Sequence, residues 1–210
     1  MLFGMTGTAF ASATITSGGA PYTGDVLGTN LGNVTLAGNS FLGPIINTCT
    51  SASLGAYTKY DGTDGKLNSV SISGCTNNRH GTTTVTATGL PYIGGHVDHD
   101  PVSGGRDGKI VIDAPNSAVD VKAILDLPDW GLMGVECHYG LTTSTPLSID
   151  VYNPSNSNKP EPSNPHGQGK LAGQSLQFIS GDSVCPASAS ANGNFQIVTD
   201  PGGADLELGA

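Results

Sequence analysis

The chain is short of charge. Only 12% of its 210 residues are Asp, Glu, Lys or Arg, where ordinary proteins carry about a quarter. Eight are Lys or Arg, scattered singly. Without a basic cluster the sequence supports neither nucleic acid nor an anionic membrane surface as a partner. The net charge of −9 is spread along the chain and serves solubility. Long apolar runs are missing as well, so no segment is long enough to span a bilayer as a helix. Strong helix formers are scarce, and no stretch repeats its apolar residues at helical spacing. The four cysteines form no Cys-x-x-Cys pair, which argues against a zinc site. A Gly-x-Ser-x-Gly elbow, a His-Glu-x-x-His helix, a phosphate-binding loop and a dinucleotide fingerprint are all absent, and no cofactor is implied.

In their place stand 31 glycines, abundant Thr, Ser and Asn, and many short runs that alternate apolar with polar residues. Such runs read as half-buried strands joined by tight turns. The clearest carries Val119, Val121, Ala123, Leu125 and Leu127 on one face. The expected fold class is all-β: an antiparallel two-sheet β-sandwich, immunoglobulin-like or jelly-roll, of about ten to twelve strands. Residues 1–13 end in Ala11-Ser12-Ala13, the small-x-small pattern that signal peptidase accepts, so they read as a signal-peptide remnant cleaved after Ala13. Residues 14–210 then form a single domain with pseudo-duplicated halves, or else two small β domains meeting near residues 90–108.

The duplication is suggested by the cysteines. Gly65-Lys66-Leu67 begins a run that reaches Ser73-Gly74-Cys75; Gly169-Lys170-Leu171 begins one that reaches Ser180-Gly181, with Cys185 four residues on. Three pairings are open to four cysteines. The shared grammar favours Cys49–Cys75 and Cys137–Cys185, each tying a hairpin-like unit. Loops of this size contribute about 3–4 kcal/mol apiece on chain-entropy grounds. Disulfides require an oxidising compartment, which agrees with export.

Candidate functional residues each carry a plain structural alternative. His96, Asp98 and Asp100 would share one face of a strand, with His99 beside them, and that face offers metal-ligand chemistry; a polar loop pointing into water explains the same letters, and no metal is assigned. Asp61 and Asp64 resemble part of a calcium loop that no Glu completes, and a hairpin turn accounts for them. Trp130, the only tryptophan, is a platform for a sugar or a partner surface, or else a plug at the end of the core. Gly181-Asp182-Ser183 resembles the nucleophile tripeptide of chymotrypsin-like proteases, but Val184-Cys185 stands where that family has glycines and no histidine lies in its signature; a turn is the simpler reading. Asn33-Val34-Thr35 is a glycosylation sequon, meaningful only in a eukaryotic secretory pathway.

The Cys-Thr-Ser start of one strand, the Ser-Gly-Cys-Thr ending of its partner, and Val85-Thr86-Ala87-Thr88-Gly89-Leu90-Pro91-Tyr92 resemble the uncharacterised secreted β-sandwich proteins of high-GC Gram-positive bacteria. The likeness of style and spacing covers most of residues 34–208. It implies an exported β-sandwich without assigned activity and carries no catalytic residue across. The expected function is therefore a secreted, non-catalytic binding or structural role, foremost association with cell-wall polysaccharide, a surface glycan or another surface protein. Residues 94–107 and 153–169 are the polar loops best suited to contact, and the latter reads as a long exposed hairpin loop. The rivals are a self-assembling extracellular structural protein, its strand edges guarded by few lysines, and a secreted carbohydrate-active hydrolase. The latter needs a carboxylate pair, and among 14 Asp and 3 Glu none stands out.

Overall fold

Alternation of apolar with Thr, Ser and Asn side chains turns nearly the whole chain into strands. In the computed structural model, which describes residues 13–210, fourteen antiparallel strands are joined by turns and one short 3-10 helix, Pro128–Trp130. The strands are β1 (Thr14–Ser17), β2 (Ala20–Pro21), β3 (Gly24–Ser40), β4 (Gly43–Thr58), β5 (Gly65–Asn77), β6 (Thr82–Thr88) and β7 (Tyr92–Asp98). They continue as β8 (Gly108–Ile112), β9 (Asn116–Leu127), β10 (Leu132–Leu141), β11 (Leu147–Tyr152), β12 (Gly167–Gly181), β13 (Ser188–Asp200) and β14 (Glu207–Gly209).

Eleven of them form one sheet in the order β10-β9-β6-β5-β4-β3-β13-β12-β11-β8-β7, and that sheet closes twice, through β10–β12 and through β5–β7. Either closure traces a ring of eight strands. The expected two-sheet sandwich is therefore corrected to a barrel. Five long strands, β3, β4, β5, β12 and β13, run its full height. The remaining wall is split: β6-β9-β10 completes one half and β7-β8-β11 the other. Closure pairs the strand edges that a sandwich of these strands would leave open.

A band of irregular backbone crosses the long strands where the wall changes. Pairing is interrupted between Thr29 and Val34 on β3, at Thr50 opposite Gly74 on β4 and β5, and between Leu171 and Gln174 on β12. Gly74 has φ 64°, and a Cβ there would stand only 2.2 Å from Thr50 Oγ1, so the bend requires glycine. Asn30 secures the band by accepting from Ala52 N (2.8 Å) and donating to Thr50 O (3.1 Å). This bend explains why the alternation along β4 is hard to read. Ile45, Asn47 and Cys49 are buried before it, whereas Ala52 and Thr58 are buried after it, in the opposite phase.

Both expected disulfides are present, Cys49–Cys75 and Cys137–Cys185. The first links directly opposed residues of β4 and β5. The second does not tie a hairpin. It joins β10 to the turn after β12, beside the pairing that closes the barrel.

Each end is sealed. At one, Ile45, Leu127, Val135, Cys137 and Val184 are buried together and Trp130 packs on them. At the other, β1, β2 and β14 form a small sheet whose Ile15 and Leu208 pack with Val97 and Val151. The expected signal segment lies outside the described residues except for its last member, Ala13, which is 3% exposed in that cluster. No helix among the described residues is long and apolar enough to cross a membrane. Along β5, Lys66, Asn68, Ser69, Ser71 and Ser73 are exposed while Leu67, Val70 and Ile72 face the interior. That polarity is the reverse of a barrel embedded in lipid.

Candidate functional site: the barrel interior

Between the two end clusters the described residues do not fill the barrel. A cavity of about 330 Å³ runs through it, lined by both halves of the wall. Val70, Val85, Val121, Ile110, Ile149 and Ile197 line this space yet remain only half-buried, because none of the described residues occupies the volume in front of them. Small residues widen it: Gly28, Ala56, Gly65, Ala87, Gly95 and Gly169 all contribute. The size falls at the lower end of ordinary ligand pockets, and an eight-stranded barrel is the width at which one small ligand is accommodated. Left empty, an apolar void of this size costs on the order of 8 kcal/mol, comparable with the whole stability of a domain.

Polar groups around the cavity mostly satisfy one another. Thr83 donates to Asn47 Oδ1 (2.5 Å), Asn47 Nδ2 donates to Leu36 O (3.0 Å), and Asn77 Nδ2 donates to Asp126 O (2.9 Å). Tyr92 donates its hydroxyl to Asp120 O (2.6 Å). Gln168, fully buried, holds the backbone of Glu161 through both amide atoms, donating to its carbonyl (2.7 Å) and accepting from its N–H (2.9 Å).

Of the sequence-derived candidates only His96 borders the cavity; Asp98, His99, Asp100 and Trp130 lie outside its lining. His96 and Asp98 sit on β7, with His96 Nε2 3.4 Å from Asp98 Oδ2 and His96 Nδ1 3.6 Å from Asp113 Oδ1. His99 and Asp100 lie beyond the strand. Asp100 turns to Arg106 (2.6 Å) and Lys109 (2.8 Å), whose hydrogen bonds hold its carboxyl down at about 2. The His96, Asp98 and Asp100 set is thus not brought together, and no group of three His, Cys, Asp or Glu side chains among the described residues is placed to hold one metal ion. Asp61 accepts from Thr63 Oγ1 (2.7 Å) and Asp64 pairs with Lys59, as a stapled turn does. Asp182 accepts from Glu136 N (2.8 Å) and shapes the turn that leads to Cys185. Trp130 is half-buried, with the Arg79 guanidinium 4.5 Å from its ring centre, so one of its faces is already covered.

The two polar loops singled out in the sequence are joined to each other. Asp107 Oδ2 accepts from Asn153 N (2.7 Å) and from Asn156 Nδ2 (2.8 Å), and Asn156 also donates to Gly105 O (2.9 Å). Lys159 is buried, its ammonium donating to Pro154 O (2.7 Å). The expected hairpin loop does join the paired strands β11 and β12 and is exposed at Ser155, Ser157, Asn158 and Glu161, but it is internally bonded, with amides and a lysine in place of the apolar anchor it lacks.

A cluster that the sequence did not reveal lies on the outer wall. His138 on β10 stands between Asp120 Oδ1 (2.9 Å) and Glu136 Oε1 (3.1 Å), and Thr88 donates to Asp120 Oδ2 (2.7 Å). Burial acts to raise the Asp120 pKa, but the bonds from Thr88 and His138 outweigh it and the net shift is downward. Hydrogen bonds to Asp120 and then Glu136 raise that of His138 above its ordinary 6.5. The nearby hydroxyls of Thr88 and Tyr92 are both already bonded to Asp120, so the group is built as a cross-strand staple. A histidine with a raised folded pKa contributes stability that is complete below its ordinary pKa and is lost as pH climbs through the folded one. The melting temperature of the protein should therefore fall more steeply than that of His138→Gln as pH rises above 6.5; parallel melting curves for the two would refute the staple.

Comparison with known proteins returns no matching family model, no matching curated protein and no matching solved structure.

Proposed function

We propose that this is an exported, non-catalytic binding protein whose barrel takes up one small apolar molecule. The observation that carries the reading is the cavity: a closed eight-stranded wall surrounding about 330 Å³ of aliphatic-lined space whose lining side chains are left half-buried. Well-packed cores do not keep such a void, and two disulfides together with the sealed ends supply the stability that lets this one persist. Catalysis has less support. The carboxylates of Asp120 and Glu136 share one imidazole on the outer wall, away from the enclosed space. The neutral dye phenylnaphthylamine, dark in water and bright in apolar surroundings, tests the proposal. Saturable enhancement at one dye per chain is expected, with its loss when the cavity is filled; unsaturable or absent enhancement would exclude an accessible apolar site.

A second reading, association with the cell surface, is favoured by one feature. Phe41 (75% exposed) and Leu42, at the turn between β3 and β4, and Met133 (68% exposed), just after the 3-10 helix, stand unburied at the end that holds Arg79 and Trp130. Gly43 joins the first of these turns to that end, its Cα substituent position lying 3.8 Å from the Trp130 ring. These apolar tips, more than the covered tryptophan, are the anchors such contact would use. The double variant Phe41→Ser and Met133→Ser should pellet with insoluble peptidoglycan several-fold less than the parent protein; equal pelleting, or none by either, counts against this face.

A further inference from the structure

Of the cavity-lining tyrosines whose hydroxyls bond no described residue, Tyr139 on β10 is the most deeply buried, at 4% exposed against 7% for Tyr152. Its oxygen is not itself wholly enclosed, since the only fully buried side-chain atoms without a hydrogen-bond partner among the described residues are Arg79 Nε and Arg106 Nε. Buried phenols ordinarily find one, as Tyr92 does in the same cavity. Burial alone pushes the Tyr139 pKa up to about 12, so the group is a neutral donor under all ordinary conditions. Tyr152 also lacks a partner, but Asp150, Arg106 and Asp107 lie close enough to act on its phenol, which places it at the charged rim. Lys66 and His96 border the cavity without offering it a charge. The Lys66 ammonium lies 5.8 Å from the centre of the Tyr57 ring, and His96 is turned to Asp98 and Asp113. An ionised carboxylate inside would therefore be desolvated and unpaired.

We propose that the occupant is an uncharged lipid-like molecule carrying an acceptor oxygen, a long-chain alcohol, ketone or ester, and that the Tyr139 hydroxyl is the donor that orients it. The inference rests on the cavity reading and deepens it. A pocket of this kind takes its affinity from apolar contact and its orientation from a few placed polar groups, and Tyr139 is the unbonded hydroxyl set deepest in this apolar lining, with Tyr152 beside charged groups.

The test is displacement of phenylnaphthylamine from the full chain by decane, decanol, methyl decanoate and decanoate, for the parent protein and for Tyr139→Phe. The variant keeps the ring and its edge-to-face contact with Phe178, so its melting curve should be unchanged. Affinity for decanol and methyl decanoate should drop by about tenfold in the variant, the worth of one buried hydrogen bond. Affinity for decane and for the dye, which present no acceptor oxygen, should stay within about twofold. Equal losses for all ligands, or no loss for the oxygenated ones, would overturn the role of Tyr139. Decanoate binding more tightly than its methyl ester at neutral pH would overturn the uncharged class. A parent protein that binds neither dye nor any of the four compounds would remove the cavity reading together with this one.

Discussion

Val121→Phe is expected to abolish uptake of a small apolar ligand while leaving the protein as stable as before. Val121 faces the cavity from the middle of β9, opposite Tyr139 on β10 and Ala87 on β6, and it belongs to neither sealed end. The added ring occupies space that a ligand would need. If it excludes four methylenes' worth of contact, at about 0.8 kcal/mol each, affinity falls by about a hundredfold. In a close-packed core the same change would cost about 1–3 kcal/mol through overpacking. Here the ring enters a void, so the melting temperature should hold or rise. Lys122, the next residue, projects outward toward Glu136 at 3.8 Å, and Lys122→Ala should leave binding untouched. Dye titration and thermal melting of the three proteins decide the matter. A stability loss without a binding loss would mean that the space is closed in solution.

Removing the second disulfide should cost the protein both stability and ligand binding, whereas removing the first should cost stability alone. The bridges span 26 and 48 residues, and loops of that size are worth about 3.5 and about 4 kcal/mol on chain-entropy grounds. For a chain of this length that is a drop of roughly 10 °C per bridge, and losing both approaches the entire stability of a domain. The structural consequences differ. Cys49 and Cys75 join strands that are hydrogen-bonded on both sides of the bridge, so the wall stays shut without it. Cys137 and Cys185 secure the pairing of β10 with β12, which is shorter and closes one ring of the barrel. Cys137→Ala with Cys185→Ala should therefore weaken dye binding by more than about tenfold once the ring can open, while Cys49→Ala with Cys75→Ala should not. Melting curves and titrations on the two double variants test this, and dye affinity indifferent to the second bridge would separate closure from the disulfide.

Much of the architecture was legible in the residues because its cause is local. Strand alternation at Val119, Val121, Ala123, Leu125 and Leu127 needs only the period of an extended chain. The cysteine pairing followed from repeated grammar on either side of each bridge. Where the reading blurred, along β4, the reason lies in a bend at Thr50 matched by Gly74 on the neighbouring strand, which reverses the phase of burial. The bonding of the loop over residues 153–166 stayed hidden for a related reason. Its anchors are Asn153, Asn156 and Lys159, which look solvent-exposed in a sequence and are partly or, for Lys159, wholly buried only when backbone carbonyls and Asp107 surround them.

The sequence by itself determined an antiparallel all-β protein stapled by Cys49–Cys75 and Cys137–Cys185, with apolar residues on one face of its strands. Tertiary structure decided that this face encloses a space. Alternation assigns a side chain to a face, but nothing local says whether that face meets a second sheet across a packed core or curves round to meet itself. The choice depends on β10 reaching β12 and β5 reaching β7, contacts between residues far apart in the chain. It also depends on small residues such as Gly28, Ala56 and Gly169 falling together in the interior. For the same reason Tyr139 reads in the sequence as one more inward strand residue, and only the closed barrel sets it in the wall of a cavity with its hydroxyl bonded to none of the described residues.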